Sequence, residues 1–238
     1  MTKEIVIEPV TRIEGHAKVA IQLDDQGNVA DAKMHIVELR GFEKFCMGRM
    51  VEELPRITPR ICGVCPWAHH LASAKATDAV FGVKIPEAAR KIRELVYMAE
   101  MASDRILHFW VLSGPDFVLG PTADYKDRNV FGVVRANPDV AKRVVHVRHL
   151  GTRIAQLLSG KAIHPTAAVP GGWSRPLKVE EIQEVKGMAK EMHDFALFSM
   201  KFAKESIFPK YIDLIKSRAV FNTGYLDTVM EDECLDIY

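Results

Sequence analysis

The sequence predicts a mainly α-helical protein with a small β region at its N-terminal end, an α+β chain in which a helical body follows a short sheet. Three observations carry this prediction: apolar residues alternate between positions 4 and 39, they recur every three or four positions after Glu53, and Gly- and Pro-rich stretches punctuate the segments. The expected division is a β-rich edge over 1–53 and a helical body over 54–238. No repeat, low-complexity segment or linker interrupts it.

In chain order, Ile5 and Ile7 alternate, then Val19, Ile21 and Leu23, and the turn cluster Asp24-Asp25-Gln26-Gly27-Asn28 precedes Val29 to Val37. Alternation bounded by turn residues is the signature of a hairpin or small meander. Pro55, Pro59 and Pro66 then mark loops around Cys62 and Cys65, and Leu71, Ala74 and Ala79 continue with helical spacing, which places the cysteine pair at or just before a helix start. Ile92, Leu95, Val96, Ala99, Ala102, Ile106, Phe109 and Trp110 describe a long amphipathic helix that Gly114-Pro115 should end. Val140, Val144, Val147, Gly151, Ile154 and Leu158 describe a second, and Ile182, Val185, Ala189, Met192, Phe195, Ser199 and Phe202 a third. Between these two, His164 to Pro176 reads as an ordered Pro/Gly-rich loop.

The chain has 238 residues, 48% hydrophobic and 26% charged, enough to bury a core of its own. The formal net charge is +1 with Lys and Arg spread along the chain, which argues against nucleic acid as a partner. No run approaches the ~20 apolar residues needed to cross a bilayer, so no transmembrane segment is expected, and the N-terminus carries no export signal. Four cysteines, two of them three positions apart, fit metal or redox chemistry in a reducing cytoplasm better than a disulfide scaffold.

The segment Arg60-Ile-Cys62-Gly-Val-Cys65-Pro-Trp-Ala-His69-His70 carries the most chemistry. Two thiols so spaced can ligate one soft metal, and a helix N-terminus beside them lowers thiol pKa and favours thiolate. On these residues alone, three readings stand: a zinc site, for which His69 is one further candidate ligand; a thioredoxin-like pair, which should instead follow a strand in a βαβ unit; and a pair of buried thiols. His146 and His149, at i and i+3, fit either a metal pair or a polar stripe.

Further segments occur in a fixed order around the pair: Glu8-Pro-Val-Thr-Arg12-Ile-Glu14-Gly-His16, Arg40-Gly-Phe-Glu43, and Ile163-His-Pro-Thr with Val169-Pro-Gly-Gly172. Together they resemble the N-terminal signatures of nickel-iron hydrogenase large subunits, most closely from Glu8 to Ala74. The overall wording is most similar to the cytoplasmic multimeric branch that feeds heterodisulfide reductase or reduces a deazaflavin.

The resemblance implies reversible splitting of H2 into protons and electrons, carried out on the helical body of that large subunit. It implies a nickel-iron centre, with carbon monoxide and cyanide on the iron, held by four thiolates from two cysteine pairs. Cys62 would be a terminal nickel ligand and Cys65 a bridging one. His69 would hydrogen-bond the bridging sulfur, a role that tunes the metal. Glu14 would relay protons, since a carboxylate near thiolates and a dry metal site suits reversible transfer. Glu43 would bind a distant magnesium or iron ion, and Asp116 would hold an arginine over the metals. Without the motif, His69 reads as a helix-surface histidine, Glu14 as a solvated acid, Glu43 as an ion-pair partner of Arg40, and Asp116 as a turn residue. Cys46, Cys234 and His70 match no family role.

The second pair, of the form Asp-Pro-Cys-x-x-Cys-x-x-His, is missing here, and Asp232-Glu-Cys234 is a single thiol. The expectation is therefore half of a catalytic subunit, split or a fragment rather than degenerate, completed by a segment or chain carrying the second pair. No iron-sulfur cluster is expected in this chain. Electrons would leave to an iron-sulfur small subunit, with electron-transfer or heterodisulfide reductase subunits as further partners. Two rival readings are a non-catalytic scaffold related to the quinone-site subunit of respiratory complex I, and a zinc-stabilised interaction module.

Overall fold

The computed structural model describes residues 3–218, together with 222, 224 and 229. Cys234 and the acidic cluster near the end of the sequence lie outside the described residues.

Three strands, β1 (Lys3–Ile7), β2 (Ala17–Leu23) and β3 (Val29–Ile36), form an antiparallel meander in the order β1-β2-β3, as the alternation predicts. The Asp24 carboxylate accepts from the backbone N–H groups of Gln26 and Asn28, closing the β2–β3 turn. Register places Ile7 opposite Val19 and Val19 opposite Met34, with Ile5 opposite Ile21, so one face is apolar throughout. That face is not covered: Ile5, Ile7, Met34 and Ile36 are 43–64% exposed.

After a one-turn helix α1 (Phe42–Cys46) and a short α2 (Leu54–Ile57), a 3₁₀ turn over Thr58–Ile61 leads into the cysteine loop and α3 (Pro66–Phe81). Pro66 at the first helical position has a fixed φ suited to starting α3. The body is built from α4 (Glu87–Leu107), α7 (Pro138–Ser159) and α8 (Val179–Phe202), each packed on the other two, with α5 (Gly114–Val118) and α6 (Val130–Ala136) between α4 and α7. Val96, Ile106, Trp110, Val144, Val147, Ile154, Leu158, Val185, Met192 and Phe195 form its core. The α4–α7 crossing is tight at Gly151, where a Cβ would stand 2.7 Å from Ser103 Cβ. Ser103 in turn accepts a hydrogen bond from Arg148 Nη1 at 2.9 Å.

Several boundaries differ from the sequence reading. α4 passes into a π turn over His108–Leu112 that inserts Trp110 among Phe195, Phe198 and Phe202, and Gly114-Pro115 opens α5 instead of simply ending a helix. Met188 is buried in α8, whereas Ala189 faces outward. Past Phe202 a second π turn, Ala203–Ile207, leads into α9 (Phe208–Arg218), a helix the periodicity did not reach.

The loop His164 to Pro176 is ordered, as expected, and holds a minimal hairpin, β4 (Ala168–Val169) with β5 (Gly172–Trp173). A fully buried arginine fixes it. Arg93 of α4 donates to Asp78 Oδ2 at 2.6 Å and to the carbonyls of Val169 and Gly172 at 2.9 Å each, while Gly171 N–H donates to Asp78 Oδ1 at 2.7 Å. A buried ion pair is tolerated when its remaining hydrogen-bonding groups are met, and here the hairpin backbone meets most of them.

Candidate metal centre

Cys65 is the N-cap residue of α3 and Cys62 follows the 3₁₀ turn, so two helical ends meet at the two thiols. Cys65 N–H donates to Cys62 Sγ at 3.1 Å, folding the loop back on itself. His69 lies four positions along α3 from Cys65, hence on the same face. The ligand atoms of Cys62, Cys65 and His69 all lie within 4.8 Å of one another. Among the described residues they are the one group of three such side chains placed to hold a metal.

Glu14 reaches this cluster from a loop 48 residues earlier: Cys62 Sγ donates to Glu14 Oε1 at 3.2 Å. The loop is anchored next door. Arg12, whose φ of +57° is uncommon for a residue with a side chain, donates to both carboxylate oxygens of Asp116 at 2.9 and 3.0 Å and to the Leu112 carbonyl at 2.7 Å. Asp116 thus pairs with Arg12 of the Glu14 loop, and Arg128 approaches the same carboxylate at 3.6 Å.

Burial, the neighbouring Cys62 and the carboxylates of Glu14 and Asp104 push the Cys65 thiol up to about 12. The sequence expectation of a lowered thiol pKa is thus overturned for Cys65: desolvation and negative neighbours outweigh the dipole of α3. A bound cation would reverse that balance, because a coordinating thiol is deprotonated by its metal.

Glu43 stands apart. It is exposed in the first turn of α1, outside the cysteine cluster, and no ion pair with Arg40 forms among the described residues. Cys46 ends α1 and is no part of the cluster. His146 bonds Glu191 of α8 at 2.9 Å, which makes it part of a polar surface stripe, and His149 is exposed.

The sequence reading assigned no role to three supporting residues. His70 is wholly buried: its Nδ1 donates to the Pro55 carbonyl at 2.7 Å and its Nε2 accepts from Ala168 N–H at 2.9 Å, so it clamps α2 and β4 to α3 as a neutral ring. Burial, with Arg93 nearby, lowers its pKa and holds that neutral form. His164, in the Ile163-His-Pro-Thr segment, donates to the Pro59 carbonyl at 3.1 Å and ties the Pro/Gly loop to the cysteine loop. Glu100 of α4, beside Asp104 and Arg148, is a partly enclosed carboxyl raised to about 7, chiefly by burial. Apolar periodicity does not distinguish a buried polar residue from a surface one, and i, i+4 spacing from Asp104 was the available clue for Glu100.

The donor set suits a soft transition metal: two sulfurs and an imidazole with a carboxylate at hydrogen-bond distance from one sulfur. It also leaves any tetrahedral or four-sulfur site incomplete.

Comparison with known proteins accounts for both points. Residues 40–130 match the nickel-dependent hydrogenase family model and residues 4–39 match a model described as HoxL-like. The vhu-type F420-non-reducing hydrogenase of Methanocaldococcus jannaschii contains a polypeptide that is 48% identical over 96% of this chain and 54% of its own length. A crystal structure of NAD+-reducing NiFe-hydrogenase in the H2-reduced state superimposes over 100% of this chain and 52% of its own, with a TM-score of 0.93 at 38% identity. The Ni-Fe-Se hydrogenase of D. vulgaris Hildenborough in the reduced state covers 91% of this chain and 46% of its own, with a TM-score of 0.71 at 31% identity. The chain spans about half the length of the curated relatives it matches. With its thiol pair, its helical body and its motif order all agreeing, the chain belongs to the nickel-dependent hydrogenase family, as the N-terminal half of a nickel-iron large subunit.

Proposed function

We propose that this chain supplies half of the thiolate cage of a nickel-iron hydrogenase catalytic subunit, which splits H2 reversibly into protons and electrons. The observation that carries the reading is the convergence of Cys62, Cys65, His69 and Glu14 at one point of a family fold. Cys62 and Cys65 would hold the metals, and a second pair of the Cys-x-x-Cys type, from another segment or chain, would complete the cage. When bound, the nickel-iron centre, with carbon monoxide and cyanide on its iron, supplies soft Lewis acidity for heterolytic cleavage of H2.

The chain's own residues then have distinct tasks. Glu14 Oε1, 3.2 Å from Cys62 Sγ, accepts the proton released there and passes it outward. His69, one helical turn from Cys65, tunes that sulfur by hydrogen bonding. Asp116 orients Arg12 and so fixes the loop that presents Glu14. Glu43 binds a magnesium or iron ion away from the cluster, as a hard carboxylate would. Electrons leave through an iron-sulfur partner subunit, and the F420-non-reducing name of the relative favours the branch linked to heterodisulfide reductase over the deazaflavin-reducing one. The chain works in the cytoplasm; no described helix is long and apolar enough to cross a membrane.

Metal analysis of the assembled complex, paired with hydrogen-dependent dye reduction, tests this. One nickel per complex, lost together with activity and with the iron in excess of the partner's iron-sulfur clusters in Cys65→Ser, is the expected result. Stoichiometric zinc with no nickel, or a metal-free complex, would overturn it.

A further inference from the structure

Two π turns of five residues each interrupt the helical body, His108–Leu112 after α4 and Ala203–Ile207 after α8. Such turns hold well under about 1% of residues in globular proteins and gather at functional sites. Each adds one residue to a helical turn, so the sequence beyond it is rotated by about 100° from the face it would otherwise present. These two lie against each other. Trp110, inside the first turn, packs its ring at 5.1 Å on Phe202, the residue that precedes the second. Its Nε1–H donates to Ser199 Oγ at 2.9 Å, and Ser199 Oγ donates to the Phe195 carbonyl at 2.9 Å, so one hydroxyl ties the indole to the α8 backbone.

A second contact lies beyond both turns, where Phe117 of α5 meets Tyr211 of α9 edge to face at 5.7 Å. Each π turn therefore sets the rotation of one partner in that contact. Beside Phe117 stands Asp116, and the first turn ends on Leu112. Pro115 has no N–H to give, the Asp116 N–H goes to the Ser113 carbonyl at 3.1 Å, and Ser113 Oγ donates back to the His108 carbonyl at 2.9 Å. The Leu112 carbonyl accepts instead from Arg12 Nη1, and the Asp116 carboxylate takes the two further bonds of the same guanidinium. All three acceptors of Arg12 thus lie at or just past the first π turn. Arg12 stands two residues before Glu14, which receives the Cys62 thiol.

We propose that the paired π turns are a positioning device for Glu14, in which Trp110 and Tyr211 are positioning residues that act through the Leu112 carbonyl, Asp116 and Arg12. An aromatic side chain on α9 governs where a carboxylate near the N-terminus stands against Cys62. The brace rests on these contacts alone; its effect on proton transfer rests on the role proposed above for Glu14.

The test uses the assembled complex carrying Tyr211→Ala, which removes the ring on α9, or Trp110→Phe, which keeps a ring in the cluster and drops the donor to Ser199. Nickel content should stay at the wild-type level. Turnover in hydrogen-dependent dye reduction should fall between about ten- and a hundredfold with KM for H2 unchanged, since a misplaced proton acceptor slows transfer without weakening the binding of H2. The solvent deuterium isotope effect on turnover should rise, and Tyr211→Phe, which keeps the ring on Phe117, should reverse both changes. Combined with Glu14→Gln, the same substitutions should cost nothing further, because the step they impair is already lost. Phenylglyoxal modification of Arg12, located by peptide mass, should be faster in both variants, a reading of the brace that needs no turnover. Should Tyr211→Ala fail to assemble, Trp110→Phe decides by the same measurements. Wild-type turnover and isotope effect, whatever the denaturant midpoint, would mark a merely structural contact and overturn the proposal. So would an equal loss of turnover with and without Glu14→Gln. Faster Arg12 modification in a complex that holds no nickel would uphold the brace while removing the hydrogenase reading.

Discussion

At the scale of single residues, Glu14 is the position where local chemistry and long-range folding meet. Nothing in the run Thr11 to Gly15 distinguishes Glu14 from a solvated acid by pattern alone; its meaning comes from Arg12, whose bidentate grip on Asp116 delivers the loop to Cys62. Exchanging the carboxylate for an amide keeps the shape and removes the proton acceptor. Glu14→Gln is therefore expected to retain nickel and iron while lowering hydrogen-dependent dye reduction by ~10²-fold or more, read by metal analysis and turnover on one preparation. Wild-type turnover in that variant would end the relay role. Cys62, Cys65 and His69 were legible because a short spacing puts them on one loop and one helix turn. His70, Arg93 and His164 were not, because their partners are backbone carbonyls and amides or, for Arg93, also a carboxylate on another helix, which side-chain patterns along one segment do not encode.

At the scale of elements, the three long helices were readable from period and the short ones were not. Val144, Val147, Ile154 and Leu158 recur on one face of α7 and are buried there, so the pattern and the packing coincide. The π turns at His108–Leu112 and Ala203–Ile207 shift the register within otherwise regular segments, and a fixed period of 3.6 cannot express such a shift. The β4–β5 hairpin was hidden for another reason: its two-residue strands are held by the Asp78–Arg93 pair of α3 and α4, a tertiary cause. Gly151 counted as one more small residue in the α7 stripe, yet the structure makes it the contact point with Ser103. Gly151→Val should cost roughly 1–3 kcal/mol through overpacking, measurable as a lower denaturant midpoint with an unchanged slope. An unaffected midpoint would show that α4 and α7 separate freely there.

At the scale of the whole molecule, one enclosed carboxyl sets a pH dependence that the surface ion pairs do not. Glu100 is raised from the ordinary glutamate range to about 7, chiefly by burial, with Arg148 opposing and Asp104 adding to the rise. The folded chain thus binds this proton more tightly than the unfolded chain. Its contribution to stability is present below about pH 4.5 and is lost as pH rises to about 7, flat beyond that. Glu100→Gln should remove this slope and raise the melting temperature above pH 7, as followed by thermal unfolding between pH 5 and pH 8. A wild-type profile in that variant would sink the assignment. Architecture at this scale was legible, a sheet followed by helices, because hydrophobic period switches near Glu53. What could not be read was the open side of the sheet, since alternation says that a face is apolar without saying what lies on it.

That open face has a practical side. β1 and β3 are both edge strands in the described sheet, with their backbone groups on the outer side available for pairing, and Ile5, Ile7, Met34 and Ile36 project beside them. Exposed edges next to exposed aliphatic side chains template intermolecular strand addition. Synthesised alone, this chain will favour inclusion bodies and soluble aggregates, and charged substitutions at Met34 or Ile36 are the natural means of keeping it monodisperse during purification.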